Sequence, residues 1–184
     1  MSLSFEPPTQ AVKWPILRLD PRVSREAIIT NRKFLMVGTH FVKQTYLCAG
    51  NDDCALCSVC LPRSLWYCSA ISPHGGKRGF LELSATSSAE LEQACRFGGA
   101  PDLLGCHVRL VRKGVRKGVQ SELLGVCDDV REVSDQEWIS PLMFIFGLPP
   151  MRPFESVPHY VERTRPIVLK RAEMVAAKIP GFSS

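Results

Sequence analysis

Long apolar runs are missing from this chain. None of its segments approaches the roughly 18 consecutive apolar residues of a membrane-spanning helix, so no membrane partner is expected. The first residues, Met1 to Glu6 followed by Pro7 and Pro8, lack the basic and apolar segments of a secretory signal, and a cytoplasmic location is expected. The short signatures of common catalytic sites are missing too: there is no glycine-rich phosphate loop, no G-x-S-x-G and no H-E-x-x-H. His74 falls in a turn, His107 in a strand and His159 near the end, none with a partner pattern. The pairs Asp52-Asp53 and Asp128-Asp129 are adjacent carboxylates that point apart. The chain is therefore expected not to be an enzyme. Extremes of composition are absent as well: 45% hydrophobic and 22% charged residues exclude wholesale disorder. A length of 184 residues supports one good-sized domain with tails. The net charge of +5 mildly favours polyanionic partners.

Cysteine is what the chain has in plenty. Of its 8 cysteines, Cys48, Cys54, Cys57 and Cys60 crowd into one short stretch. In a reducing compartment such a cluster reads first as metal ligands. The spacing is His40-x7-Cys48-x5-Cys54-x2-Cys57, with Cys60 repeating the x2 interval. A Cys-x2-Cys turn aims two sulfurs at one ion, and thiolate with imidazole suits tetrahedral zinc (Zn2+) in a closed, structural site. Gly50-Asn51-Asp52-Asp53 supplies the turn that returns the chain to Cys54. His40, Cys48, Cys54 and Cys57 are the expected ligands, and Cys60 is the rival that would displace His40. Cys68, Cys95, Cys106 and Cys127 fall inside expected elements and are read as core.

Residues 1–22 read as an extended, proline-rich arm, 23–133 as a small β-barrel interrupted by a zinc-binding insertion at 40–60, and 134–184 as a helical C-terminal extension. Strands are expected over 31–45, 65–71, 79–84, 106–112 and 120–127. Ser87 and Glu90 suggest a capping box opening a helix that Gly98-Gly99 ends. Ser134-Asp135-Gln136-Glu137 opens another, and 155–178 reads as a helix interrupted near Pro166. The fold class expected is mainly β with helices (α+β). Its element order, with one helix between two hairpins, is that of an OB-fold-like barrel.

Between Arg109 and Gly118 lie Arg109, Arg112, Lys113, Arg116 and Lys117 with no acidic residue. Such a turn neutralises phosphates without reading sequence. Aromatic side chains mixed with cations extend the candidate surface: Lys43 with Tyr46, Trp66, and Lys77 with Arg78. Bases stack on such rings. Trp66 and Tyr67 must face opposite sides of their strand, and Trp66 is expected to be the exposed one. Phe34 and Phe41 are expected in the core.

A histidine, a cysteine and then Cys-x2-Cys, set among basic and aromatic strands over residues 31–127, resembles the zinc-containing single-stranded-DNA-binding proteins of T4-like phages. There the ligands are His, Cys, Cys and Cys in this order, matching His40, Cys48, Cys54 and Cys57. The resemblance implies an OB-fold, a structural zinc and cooperative coating of single strands in replication or recombination. The family's acidic C-terminal tail is not matched: Arg163, Arg165, Lys170, Arg171 and Lys178 outnumber Glu162 and Glu173 here. The leading expectation is a non-enzymatic binder of single-stranded DNA or RNA. The alternative is a zinc-stabilised adaptor that docks protein partners through the zinc loop and the 134–184 helices.

Overall fold

Alternation of polar and apolar side chains builds the sheet. In β6 (Cys106–Arg112), Cys106, Val108 and Leu110 are buried, while His107 and Arg109 are only half-buried on the opposite side. β1 (Ser24–Ile29) buries Ala27 and Ile29 in the same way. β4 (Arg63–Ile71) is buried without a break from Tyr67 to Ala70, because both of its faces are covered. The computed structural model describes residues 14–17, 23–50, 53–74, 76–112 and 119–180. The other elements are β2 (Leu35–Val42), β3 (Gln44–Leu47), β5 (Arg78–Ser84), α1 (Ala85–Phe97), β7 (Val119–Val126), α2 (Asp135–Ile145) and α3 (Val157–Ala176).

All the strand pairings are antiparallel, in the order β3-β2-β4-β1-β6-β7, with β5 also paired to β4. β1 and β2 lie along β4 in succession, Ile29 opposite Ala70 and Leu35 opposite Tyr67. They form one ribbon bent at residues 30–34. The bend is stitched by polar groups: the Ser69 N–H donates to Asn31 Oδ1 at 2.9 Å, and the Thr30 N–H to the Ser69 carbonyl at 3.0 Å. Among the described residues no ladder joins β7 to β3 or β5. Among the described residues the architecture is thus α+β, an open antiparallel sheet with three helices.

Each face carries its own core. On one, α1 lays Leu91 and Cys95 against Ala27, Cys68, Leu81, Leu83, Val108 and Leu110. On the other, α2 and α3 bring Trp138, Leu142 and Tyr160 against Tyr67 and Phe80. Burial of such side chains contributes about 1.5–3 kcal/mol each. α2 and α3 thereby form the layer that covers this face. α3 buries Tyr160, Thr164, Val168, Ala172 and Ala176, a stripe at every fourth position.

Several expectations are corrected. β1 lies where no strand was expected, and the single strand expected over 31–45 is instead β2 and β3, with Lys43, at φ 59°, making the tight turn between them. The cap of α1 is Ser84, the last residue of β5, whose side chain accepts from the Ser87 N–H. Ser87 is instead inside the helix and buried, its hydroxyl accepting from the Val119 N–H. At Ser134 the capping box with Glu137 is formed as expected. α3 runs through Pro166 without interruption, held by the buried stripe on either side. The described part of the arm is docked: Trp14 packs on Phe80 with ring centroids 5.4 Å apart, and the Leu17 N–H donates to the Phe80 carbonyl. Residues 1–13 and 18–22 lie outside the described residues.

Candidate metal centre and basic surface

The β2–β3 hairpin places His40 opposite Tyr46, and the chain leaves β3 directly into Cys48, whose N–H donates to the Gly38 carbonyl at 2.8 Å. A Cβ on Gly38 would lie 3.3 Å from Cys48 Cβ, so glycine makes room for the incoming cysteine. The Cys54 N–H reaches back to Gly50, whose φ of 109° favours glycine. Asn51 and Asp52 of that expected turn lie outside the described residues. Between Cys54 and Cys60 the backbone coils tightly, Cys57 N–H to the Cys54 carbonyl and Cys60 N–H to the Leu56 carbonyl. Leu56 inside this coil is fully buried, packed in a small core with Ala172 and Ala176 of α3. The loop therefore has an apolar anchor that its Gly, Asn and Asp content conceals.

One donor atom each from His40, Cys48, Cys54 and Cys57 lies within 4.8 Å of the others. His40 Nε2 is 3.5 Å from both Cys54 Sγ and Cys57 Sγ, and Cys48 Sγ is 3.5 Å from Cys57 Sγ. A zinc tetrahedron with ordinary bond lengths has N···S edges of about 3.6 Å and S···S edges of about 3.8 Å. The four groups can hold a metal ion, and their spacing and softness are compatible with zinc. Cys60 stands on the other edge of the imidazole: its carbonyl is 3.1 Å and its Sγ 3.5 Å from His40 Nδ1. With Nδ1–H donating to that carbonyl, the Nε2 lone pair points into the cluster, an orienting contact of the kind metal-ligating histidines make.

The protonation balance follows from burial. Burial pushes the Cys57 thiol up to about 12, with the Cys48 and Cys54 sulfurs adding to it. For Cys54, burial opposes ionisation, yet backbone hydrogen bonds from Ala49, Leu56 and Cys57 together bring its pKa below the usual thiol value. Burial also lowers the His40 pKa, partly offset by the Cys60 carbonyl, which keeps the imidazole neutral and able to ligate. Outside the cluster, Asp53 pairs with Arg165 of α3.

No family model, curated protein or solved structure matches this chain.

Register assigns the nucleic-acid candidates to two ends of the sheet. Val42 and Arg63 mark one end, and the metal cluster, Lys43 and Tyr46 sit there. Ile71 with Arg78, and Arg112 with Val119, lie towards the other, at staggered levels: Ile28 pairs with both Ile71 and His107, so Arg78 is level with His107 and Arg112 lies beyond it. Lys113, Arg116 and Lys117, in the turn joining Arg112 to Val119, lie outside the described residues. Lys43, Lys77 and Arg78 are exposed, and the Arg78 guanidinium lies 5.5 Å from the Trp14 ring centroid. Tyr46 is half-buried, its hydroxyl accepting from Gln44.

Arg109 differs from a solvated phosphate contact. It pairs with Glu26 at 3.2 Å and Glu122 at 3.0 Å, and Glu26 also takes His107 at 3.1 Å. The Arg109 hydrogen bond is the main cause of the lowered Glu26 pKa. Trp66 is half-buried rather than exposed, edge-on to Phe34 at 6.4 Å, because α1's core extends beneath it. Tyr67 is fully buried beneath the helices on the opposite face. Phe34 is buried as expected, but Phe41 is 56% exposed, with the Arg63 guanidinium 5.9 Å from its ring centroid. Cys68, Cys95 and Cys106 are core residues as expected, whereas Cys127, just past the end of β7, is half-buried. The Phe41–Arg63 pair was missed; its only sequence signal is an aromatic flanked by Lys43 at the strand end.

Proposed function

We propose that the chain binds single-stranded nucleic acid, DNA in the first instance, with little sequence preference and without catalysing a reaction. In this reading zinc, held by His40, Cys48, Cys54 and Cys57, locks the β2–β3 hairpin and its loop as a structural element. The end of the sheet that the helices leave exposed serves as the binding surface, in the role of the T4-like phage proteins within replication, recombination or repair in the cytoplasm.

The observation that carries the reading is the acid-free basic stretch from Arg112 to Gly118, which leaves the sheet on the side away from the metal cluster, the side on which Lys77 and Arg78 are also exposed. Clustered cations of this kind attract a phosphate backbone, and the attraction weakens as counterions return with salt. Arg109, offset by two carboxylates, contributes less than its place in the sequence suggests.

The test is a salt series on a fluorescent oligonucleotide with the parent and with Arg112, Lys113, Arg116 and Lys117 all changed to Ala. Each lost phosphate contact should remove about 0.7 from the slope of log K against log salt, with an unchanged melt. An unchanged affinity and slope would remove the reading. RNA oligonucleotides of the same sequence decide between the two polymers.

The adaptor reading is favoured by a different observation: Leu61, 87% exposed, and Phe41 leave apolar surface beside the metal loop. In it, protein partners dock there or on the C-terminal helices.

A further inference from the structure

A groove of about 600 Å³ opens between β3, β5, the end of α2 and the last turns of α3. Its floor breaks the pattern of its face. β5 alternates, so Glu82 falls on the same side as Phe80, under the helices, where the neighbouring side chains are apolar. Glu82 stands directly across from Tyr67 and accepts its hydroxyl at 2.7 Å. Tyr67 is fully buried, while Glu82 is open to the groove. No cation is paired to this carboxylate among the described residues, and beyond the Tyr67 hydroxyl its remaining lone pairs face the groove, free to accept from a ligand.

The rest of the groove complements it. Leu47, Phe146 and Val175 supply apolar walls, and Phe146 meets Tyr67 edge-on at 6.2 Å. Arg171 and Lys178, both exposed, stand at the rim. Arg171 is held in place by the Phe146 and Gly147 carbonyls, contacts that fix its position and leave its charge uncompensated.

We infer that this groove binds a single nucleotide, with the base against Glu82 and the apolar walls and the phosphate against Arg171 and Lys178. A space of this volume suits a nucleotide and is large for an amino acid. Two cations match a phosphate dianion. A carboxylate accepts two adjacent N–H groups, which guanine presents on its pairing edge and adenine does not, so guanine is the preferred base. This site is separate from the basic end of the sheet and does not depend on the strand-binding proposal.

Calorimetric titration of the metal-loaded protein with GMP, AMP, guanosine and inorganic phosphate tests it. GMP should bind, and at least tenfold more tightly than AMP or phosphate alone. Glu82→Gln should erase the preference for GMP over AMP, and Lys178→Ala should weaken GMP several-fold while leaving guanosine unchanged. Melts of both variants should match the parent, and Glu82→Asp, which restores the carboxylate, should recover part of the preference if folding is sound. The basic-turn variant described above should bind GMP as the parent does, so either proposal can fail alone. No heat with GMP at millimolar concentration, phosphate binding as tightly as GMP, or a preference unaffected by Glu82→Gln would overturn the inference.

Discussion

Leu56→Ala tests whether the metal loop is part of the fold or merely fastened to it. Leu56 is fully buried between Cys54 and Cys57 and rests on Ala172 and Ala176 of α3. The substitution removes three carbons, about 2.4 kcal/mol of transfer free energy at about 0.8 kcal/mol per methylene. A cavity adds to this at about 24 cal/mol per Å3 of unfilled volume. Two alanines on a rigid helix cannot advance to fill the space, but the loop, lying at the surface, can settle inward. The total should therefore be about 3 kcal/mol, in the lower half of the range for buried leucine truncations. For a domain of this size that corresponds to a melting temperature roughly 6–12 °C lower. The assay is thermal unfolding of the zinc-loaded protein by circular dichroism, repeated after chelation. With metal removed the loop should loosen, so the variant and the parent should then differ by much less. A zinc-loaded melt within 1 °C of the parent would refute the docking of the loop on α3.

Cys60→Ser should retain stoichiometric zinc, because the backbone carbonyl that orients His40 survives, whereas His40→Ala should lose it; elemental analysis giving the reverse would make Cys60 the ligand. Asn31→Ala should leave the Ser69 N–H buried without its acceptor and cost about 1–3 kcal/mol in urea unfolding; a neutral result would mean the ribbon re-forms without it. Glu155 is held down to about 2, chiefly by its hydrogen bonds to Arg163 with the Arg152 backbone assisting, against the opposing effect of burial. Its folded pKa is thus depressed, so its stabilisation is present above the unfolded carboxylate value near 4.5 and is lost as pH falls towards 2. Acid titration of Glu155→Gln should accordingly converge on the parent as pH drops through that window; a constant gap would contradict the pairing.

Local chemistry was legible in the sequence, and three-dimensional context was not. The ligand spacing from His40 to Cys57 is a short-range property, as are the strands around Cys68, Leu81 and Val108 and the cap at Ser134. Spacing to Glu90 favoured Ser87 as the cap of α1; the structure uses Ser84 because the helix starts where β5 stops, with no loop between. β1 escaped notice because Arg25 and Glu26 look like surface, and Glu26 acquires its partners only when β6 arrives beside it. Alternation correctly set Trp66 and Tyr67 on opposite faces. It carried no word of whether a face is covered, and both are: α1's core reaches Trp66, and α2 and α3 bury Tyr67. Phe41 errs in the other direction: it is exposed near the end of β2, with the Arg63 guanidinium over its ring. Pro166 reads as a break when neighbours are ignored, and the stripe from Tyr160 to Ala176 shows why it is none. Leu56 carries a single apolar letter among polar ones, and only the approach of α3 reveals its weight.

The bent ribbon of β1 and β2 has a consequence for how the molecule breathes. Beyond β4 the sheet divides: β3 hangs from the lower half of the ribbon, β6 and β7 from the upper half, and no ladder links the two branches among the described residues. Each branch can therefore open while the other stays closed, as a cooperative unit of its own. Native-state hydrogen exchange should then resolve two protection classes, one for the β2–β3 amides that responds to chelation and one for β6–β7 that does not. The amides of β4 that bond to β5, on the edge away from both branches, should be protected more strongly than either class.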